Sequence, residues 1–136
     1  MIRVGDERYL VRRVTTEDVK AYASISGDNN PLHMDTEFSE KSDFGRRISH
    51  GNLIIGLFTG MIAFDFPGPG SLLISQVLHF KAPIFVDSEI QLHLIVKKSV
   101  DRAGILYLLA QCHSDNRLCI EGEFKVYRSR YGLVND

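Results

Sequence analysis

The spacing of apolar residues along the chain changes character once, at Phe66-Pro-Gly-Pro-Gly70. Before that break the pattern is helical. Thr15 followed by Thr16, Glu17 and Asp18 offers a capped helix start with acids in the first turn, and Val19, Tyr22, Ala23 and Ser26 then recur at helical spacing. Thr36 is placed to cap a short helix through Glu37, Phe38 and Ser39 toward Lys41, ended by Phe44-Gly45. The run from Ile48 to Phe64 sets Leu53, Ile54, Leu57, Phe58, Met61 and Ile62 on one broad face, while Ile55, Gly56, Gly60 and Ala63 leave little polarity on the other. That helix is expected to be largely enclosed and to form the centre of the core. Burying six such side chains contributes on the order of 10 kcal/mol before chain entropy is set against it.

After the break the period becomes two. Leu72–Phe80, Glu89–Val100, Gly104–Ser114 and Leu118–Tyr127 read as strands, joined by hairpin-like turns at Val100–Gly104 and Ser114–Arg117. In the last strand Leu118, Ile120, Phe124 and Val126 face one way and Cys119, Glu121, Glu123 and Lys125 the other, which suits a sheet covered on one face. Tyr9, Leu10 and Val11 among charges add a short strand near the start. The expectation is an α+β domain spanning 1–136: an antiparallel sheet of about five strands with one long helix laid across it, and a loose polar tail from Ser129. Such a sheet has free edges, and one copy covers the helix poorly, so a homodimer formed through an edge strand is expected.

Composition narrows the function classes. Lys plus Arg (16) and Asp plus Glu (17) nearly cancel and are interspersed, so no basic patch for nucleic acid or a membrane surface is implied. The longest apolar stretch, Leu53 to Phe66, is broken by glycines and Asp65 and is too short to span a bilayer. No secretory signal is read, and Cys112 and Cys119 are expected as two buried thiols in a reducing cytoplasm rather than as a disulfide.

The chemistry concentrates in Ser26-Gly-Asp-Asn-Asn-Pro-Leu-His-Met-Asp35, which has almost no apolar side chain to justify burial. Residues 27–30 tolerate turn conformations, and Pro31 pushes Asn30 out of the helical region, so a stiff loop should hold Asp28 and His33 at a set distance. An ionised Asp28 accepts a proton, and an imidazole titrates near neutrality, so the pair can polarise a water. An Asx-turn that caps a helix, with a histidine bonded locally, explains the same residue types equally well. His79, His93 and His113 lack ligand spacing, so no metal site is expected. Ser49 beside His50 lacks a nucleophile elbow, which argues against nucleophilic catalysis.

Three motifs in order, Ser26–Asp35, Phe44-Gly-Arg-Arg-Ile-Ser-His-Gly51 and Phe80-Lys-Ala-Pro-Ile-Phe-Val-Asp87, make the chain resemble the MaoC-like hot-dog family, in particular its single-domain (R)-specific enoyl-CoA hydratases. The resemblance implies a hot-dog fold, a dimer with active sites at the subunit interface, and reversible addition of water to a trans-2-enoyl thioester. It implies no cofactor apart from the coenzyme A or acyl-carrier thioester that belongs to the substrate. Under it, Asp28 and His33 are the catalytic pair, Asn30 orders the loop, and the Gly51 amide binds the thioester carbonyl. Ser49 and His50 support that helix start, with His50 favoured as structural, and Thr59 stands where relatives carry a supporting serine. Asn52 replaces a methionine, which bears on substrate preference, and Arg46, Arg47 and Lys81 are candidates for the phosphates of coenzyme A. Alternatives are an acyl-carrier-protein-linked 3-hydroxyacyl dehydratase, a thioesterase, and a non-catalytic module that binds acyl thioesters. The order acid then histidine in one loop favours the hydratase class over the dehydratase group that places histidine first.

Overall fold

The computed structural model describes residues 2–128, so the tail expected from Ser129 onward lies outside the described residues. Its elements run β1 (Glu7–Arg13), α1 (Thr16–Ser26), α2 (Pro31–Met34), α3 (Thr36–Glu40), α4 (Gly51–Asp65), β2 (Leu72–Phe80), β3 (Glu89–Val100), β4 (Ile105–Ser114) and β5 (Arg117–Tyr127). The five strands form one antiparallel sheet in the order β1-β3-β4-β5-β2, curled around α4, which is the hot-dog arrangement.

Register explains the core. Cross-strand partners share a face, and the rows Leu92–Cys112–Ile120 and Val96–Leu108–Phe124 place buried apolar side chains on one face, which α4 covers. From α4, Leu53, Ile54, Ile55, Phe58, Met61 and Ile62 are buried, and Phe58 meets Phe124 with ring centroids 5.8 Å apart. Arg8 ties β1 to the far end of this helix, donating Nε–H to Asp65 Oδ2 at 2.9 Å and lying over the Phe66 ring.

Four features differ from the sequence expectations. The outer stripe of α4, Asn52, Gly56, Gly60, Ala63 and Phe64, is exposed, so within one chain the helix is covered on one side only. Small residues there carry no polar signal of exposure. Cys119 is buried, as expected of both thiols, but it does not alternate with Glu121 and Glu123, because the β4–β5 pairing steps from Cys112↔Ile120 to His113↔Leu118 and leaves it as the extra residue of a bulge. The cap of α3 is Asp35, whose Oδ1 accepts from Phe38 N–H at 3.0 Å, rather than Thr36. The segment after Pro31 is a short helix of its own, α2. Both thiols are free, and burial pushes the Cys112 pKa up to about 12. No described helix is long and apolar enough to cross a membrane.

Candidate active site

The site begins where α1 stops. Thr15 and Asp18 make the reciprocal cap at its start, and Gly27, with φ +76°, makes the left-handed turn at its end, so the chain leaves the helix sharply. The next residues bond among themselves. Asp28 N–H donates to Ser26 Oγ at 3.0 Å, Asn30 N–H to Asp28 Oδ1 at 3.2 Å, and Leu32 N–H to Asn30 Oδ1 at 3.0 Å. Asn30 is thus the cap of α2, with Pro31 in its first turn, and Asp28 spends one carboxylate oxygen on an Asx-turn. Half of the bland alternative is therefore present, and the second oxygen is free for other chemistry.

Helix α2 carries His33 inward. The side chain is buried, and Nδ1 lies 2.7 Å from the Ile48 carbonyl oxygen. A carbonyl can only accept, so Nδ1 carries the proton and Nε2 keeps its lone pair. Burial is the largest cause holding this imidazole below its ordinary pKa; His50 lowers it further, while the Ile48 carbonyl and Asp28 oppose. A neutral ring with an open Nε2 is a base at neutral pH.

The opposite wall comes from the approach to α4. Ile48 forms an isolated bridge with Phe85, and Ser49 N–H donates to Ile84 O at 2.7 Å, so the strap Arg47–Ser49 is pinned to the segment after β2. Gly51 then opens a helix of 15 residues, whose first N–H groups have no partner within the helix. Glycine lets the Phe80 ring close on the helix start: a Cβ would meet that ring, with two more ring atoms at 2.9 and 3.0 Å, and would push it aside.

Asp28, His33, Ser49, His50, Gly51 and Asn52 line one cavity of about 510 Å³, with Phe44, Ile54, Phe80 and Pro83 among its apolar walls. A few polar groups thus share a cavity with several apolar walls, the composition expected for an acyl substrate. Asn30 shapes the loop from outside. Thr59 lies about 12 Å along α4 from Gly51 and outside the cavity lining, and its hydroxyl donates to Gly56 O at 2.9 Å. Ser49 directs its hydroxyl to the His50 carbonyl at 3.2 Å. Of the three basic candidates only Lys81 reaches the cavity; Arg47 bonds Thr16 Oγ1 at 2.9 Å, and Arg46 stacks on Phe85 with its guanidinium carbon 3.7 Å from the ring centroid.

Sequence reasoning missed two things. Phe80 and Pro83 were motif markers rather than walls, although a large apolar residue closing a strand beside a Lys-Ala-Pro turn was the available signal. The spacing of His79, His93 and His113 also gives no hint that, among the described residues, Asp28, His33 and His50 are the ones whose donor atoms lie within 4.8 Å of one another. The His33 and His50 rings pack at 4.0 Å between centroids with a 39° tilt.

Fold and site together define a hot-dog protein in which Asp28 and His33 share a cavity with a helix N-terminus and apolar walls. The family described as MaoC like domain matches residues 4–108, and the chain belongs to this family of hydro-lyases. It is 30% identical over 90% of its length to the 3-hydroxybutyryl-CoA dehydratase of Methylorubrum extorquens, covering 78% of that protein. It is 32% identical over 98% of its length to the mitochondrial 3-hydroxyacyl-[acyl-carrier-protein] dehydratase of Arabidopsis thaliana, covering 72% of it. The solved (R)-hydratase from A. caviae involved in PHA biosynthesis superposes with a TM-score of 0.91 at 33% identity, over 94% of this chain and 98% of that one.

Proposed function

We propose that the chain is an (R)-specific enoyl-CoA hydratase, adding water reversibly to trans-2-enoyl thioesters, and that it works as a homodimer. The observation that carries the reading is the free Nε2 of a neutral, buried His33 sharing one cavity with Asp28 and the N-terminus of α4. Asp28 and His33 hold a water and take its proton as the oxygen attacks the β-carbon. Charge moving onto the thioester oxygen is met by the Gly51 N–H and the positive end of the helix, where such stabilisation is largest. The proton returns to the α-carbon from the same pair, so the reaction balances with water alone and needs no cofactor.

Dimerisation is supported by what one chain leaves open. Strand β2 is an edge with Leu72, Leu73, Ile74, Val77 and Phe80 exposed, and on α4 a Cβ at Gly56 or Gly60 would meet nothing within 4 Å. A second copy paired through β2 would cover both surfaces. The two buried thiols suit a reducing, cytoplasmic setting.

A carrier-protein thioester is the second reading, favoured by the similar identity to a relative named for that substrate. The test is a side-by-side assay of crotonyl-CoA, trans-2-octenoyl-CoA and the same acyl groups on carrier protein. Hydration of the coenzyme A thioesters at equal or higher kcat/KM supports the reading. Turnover of the carrier thioesters alone would replace it with the second, and tight binding without turnover would leave only a thioester-binding module.

A further inference from the structure

His50 is the residue that the proposed chemistry does not use. It is 2% exposed, and a buried imidazole needs partners. Its Nε2 lies 2.9 Å from the Asp28 carbonyl oxygen, so Nε2 carries the proton and donates. That leaves Nδ1 as a bare lone pair, buried without a hydrogen-bond partner, and the side chain does not cap α4 although it occupies the cap position. The ring is packed between Tyr22, at 4.7 Å between centroids, and His33, at 4.0 Å. A leucine or phenylalanine would fill this space without stranding a polar atom. What it would lack is the bond to Asp28.

That bond has no substitute. Every other hydrogen bond to residues 27–30 among the described residues comes from within the stretch 23–33: Gly27 N–H to Ala23 O, Asn29 N–H to Gly27 O, and the side-chain turns already described. Residues 27–30 are mostly exposed, and among the described residues their one hydrogen bond to a partner outside the stretch 23–33 is the one from His50, whereas Leu32 and His33 just beyond them are held by Ile48. His50 directly precedes Gly51, so the same residue fixes the helix start. We propose that His50 is a positioning residue, which locks the Asp28 backbone to the first turn of α4 and braces the His33 ring, so that acid, base and Gly51 N–H keep one geometry. This rests on the hydratase reading, and it adds a role that the acid–base pair alone does not require.

The test compares His50→Leu, which fills the space without a donor, with His50→Gln, whose amide N–H reaches about as far as Nε2. Misplacing a catalytic group by an ångström costs about 100-fold, and that is the expected loss in kcat for the leucine variant, with KM changed less than threefold. The glutamine variant should recover kcat to within about tenfold of wild type, at a melting temperature similar to that of the leucine variant. Leucine and glutamine variants with equal kcat would overturn the proposal, whether both are active or both are impaired.

A second measurement does not depend on turnover, and so separates this inference from the hydratase reading. NMR titration of His33 reports its surroundings: Asp28 from the loop, His50 before α4 and the Ile48 carbonyl, with Tyr22 of α1 behind His50. Burial is the largest cause of its lowered pKa, so a loosened loop that admits water should move the value upward in the leucine variant by more than in the glutamine variant. Identical titrations in the two variants would contradict the proposal even if no enoyl thioester were ever turned over.

Discussion

The two edges of the sheet are built on opposite rules. On β1, Glu7, Arg8, Arg12 and Arg13 are charged, Arg8 is tied to Asp65, and Tyr9 is stacked on His93 at 4.1 Å. On β2, Leu-Leu-Ile-Ser-Gln-Val-Leu-His-Phe carries no Asp, Glu, Lys or Arg, and all its apolar side chains but Leu78 are exposed. Charged edges resist pairing with another strand, and apolar, uncharged edges invite it. The open edge also ends in Phe80, which lines the cavity against Gly51. Assembly and catalysis are thus expected to depend on one side of the molecule and to be insensitive to the other.

The largest expected effect separates chemistry from assembly on that side. Asp28→Asn should lower kcat by about 1,000-fold, within the range for losing an acid–base group, while light scattering shows an unchanged dimer. Next comes the surface that β2 shares with α4. Gly60→Arg meets open space in a single chain and exchanges a poor helix former for a good one, so it should fold. It should nevertheless halve the mass in solution and reduce kcat by about 100-fold, as the slot loses its neighbouring wall. A dimer of normal activity would show that this face is not the interface.

A smaller effect comes from pH. The folded pKa of His33 is depressed, so between the unfolded value of about 6.5 and the folded value the unfolded chain binds a proton that the folded chain refuses. The contribution to stability is complete above the unfolded value and is lost as pH falls through the folded one. Thermal unfolding followed downward from about pH 7.5 should therefore show a decline that is shallower in His33→Gln. Activity should fall over the same window as Nε2 becomes protonated. The smallest effect is at the guarded edge: Val11→Lys, on the exposed part of β1, should leave mass, kcat and melting temperature within error of wild type.

The same contrast explains what could be read in the sequence. Strands β2 to β5 and the helix α4 were legible because each is long and keeps its period, and the Asp28–His33 loop was legible because residues without apolar function cluster there. Cys119 was misassigned because alternation holds only while the register does, and a bulge leaves no mark in the period. Glycine and alanine look alike in a core and at an interface, so the sequence implies a largely enclosed α4 that one copy covers poorly without marking which stripe stays open. His50 was legible as a neighbour of the helix start, but its bond to Asp28 spans 22 residues and depends on how the chain returns. Thr59 entered through family likeness alone, and in one chain its hydroxyl turns back onto its own helix.

The most direct measurement is the configuration of the product formed from crotonyl-CoA by the wild-type protein, with Asp28→Asn as the blank. The account predicts loss of the enoyl thioester with accumulation of the (R)-3-hydroxybutyryl thioester, absent in the variant. An (S) product, or equal rates with wild type and the variant, would contradict it.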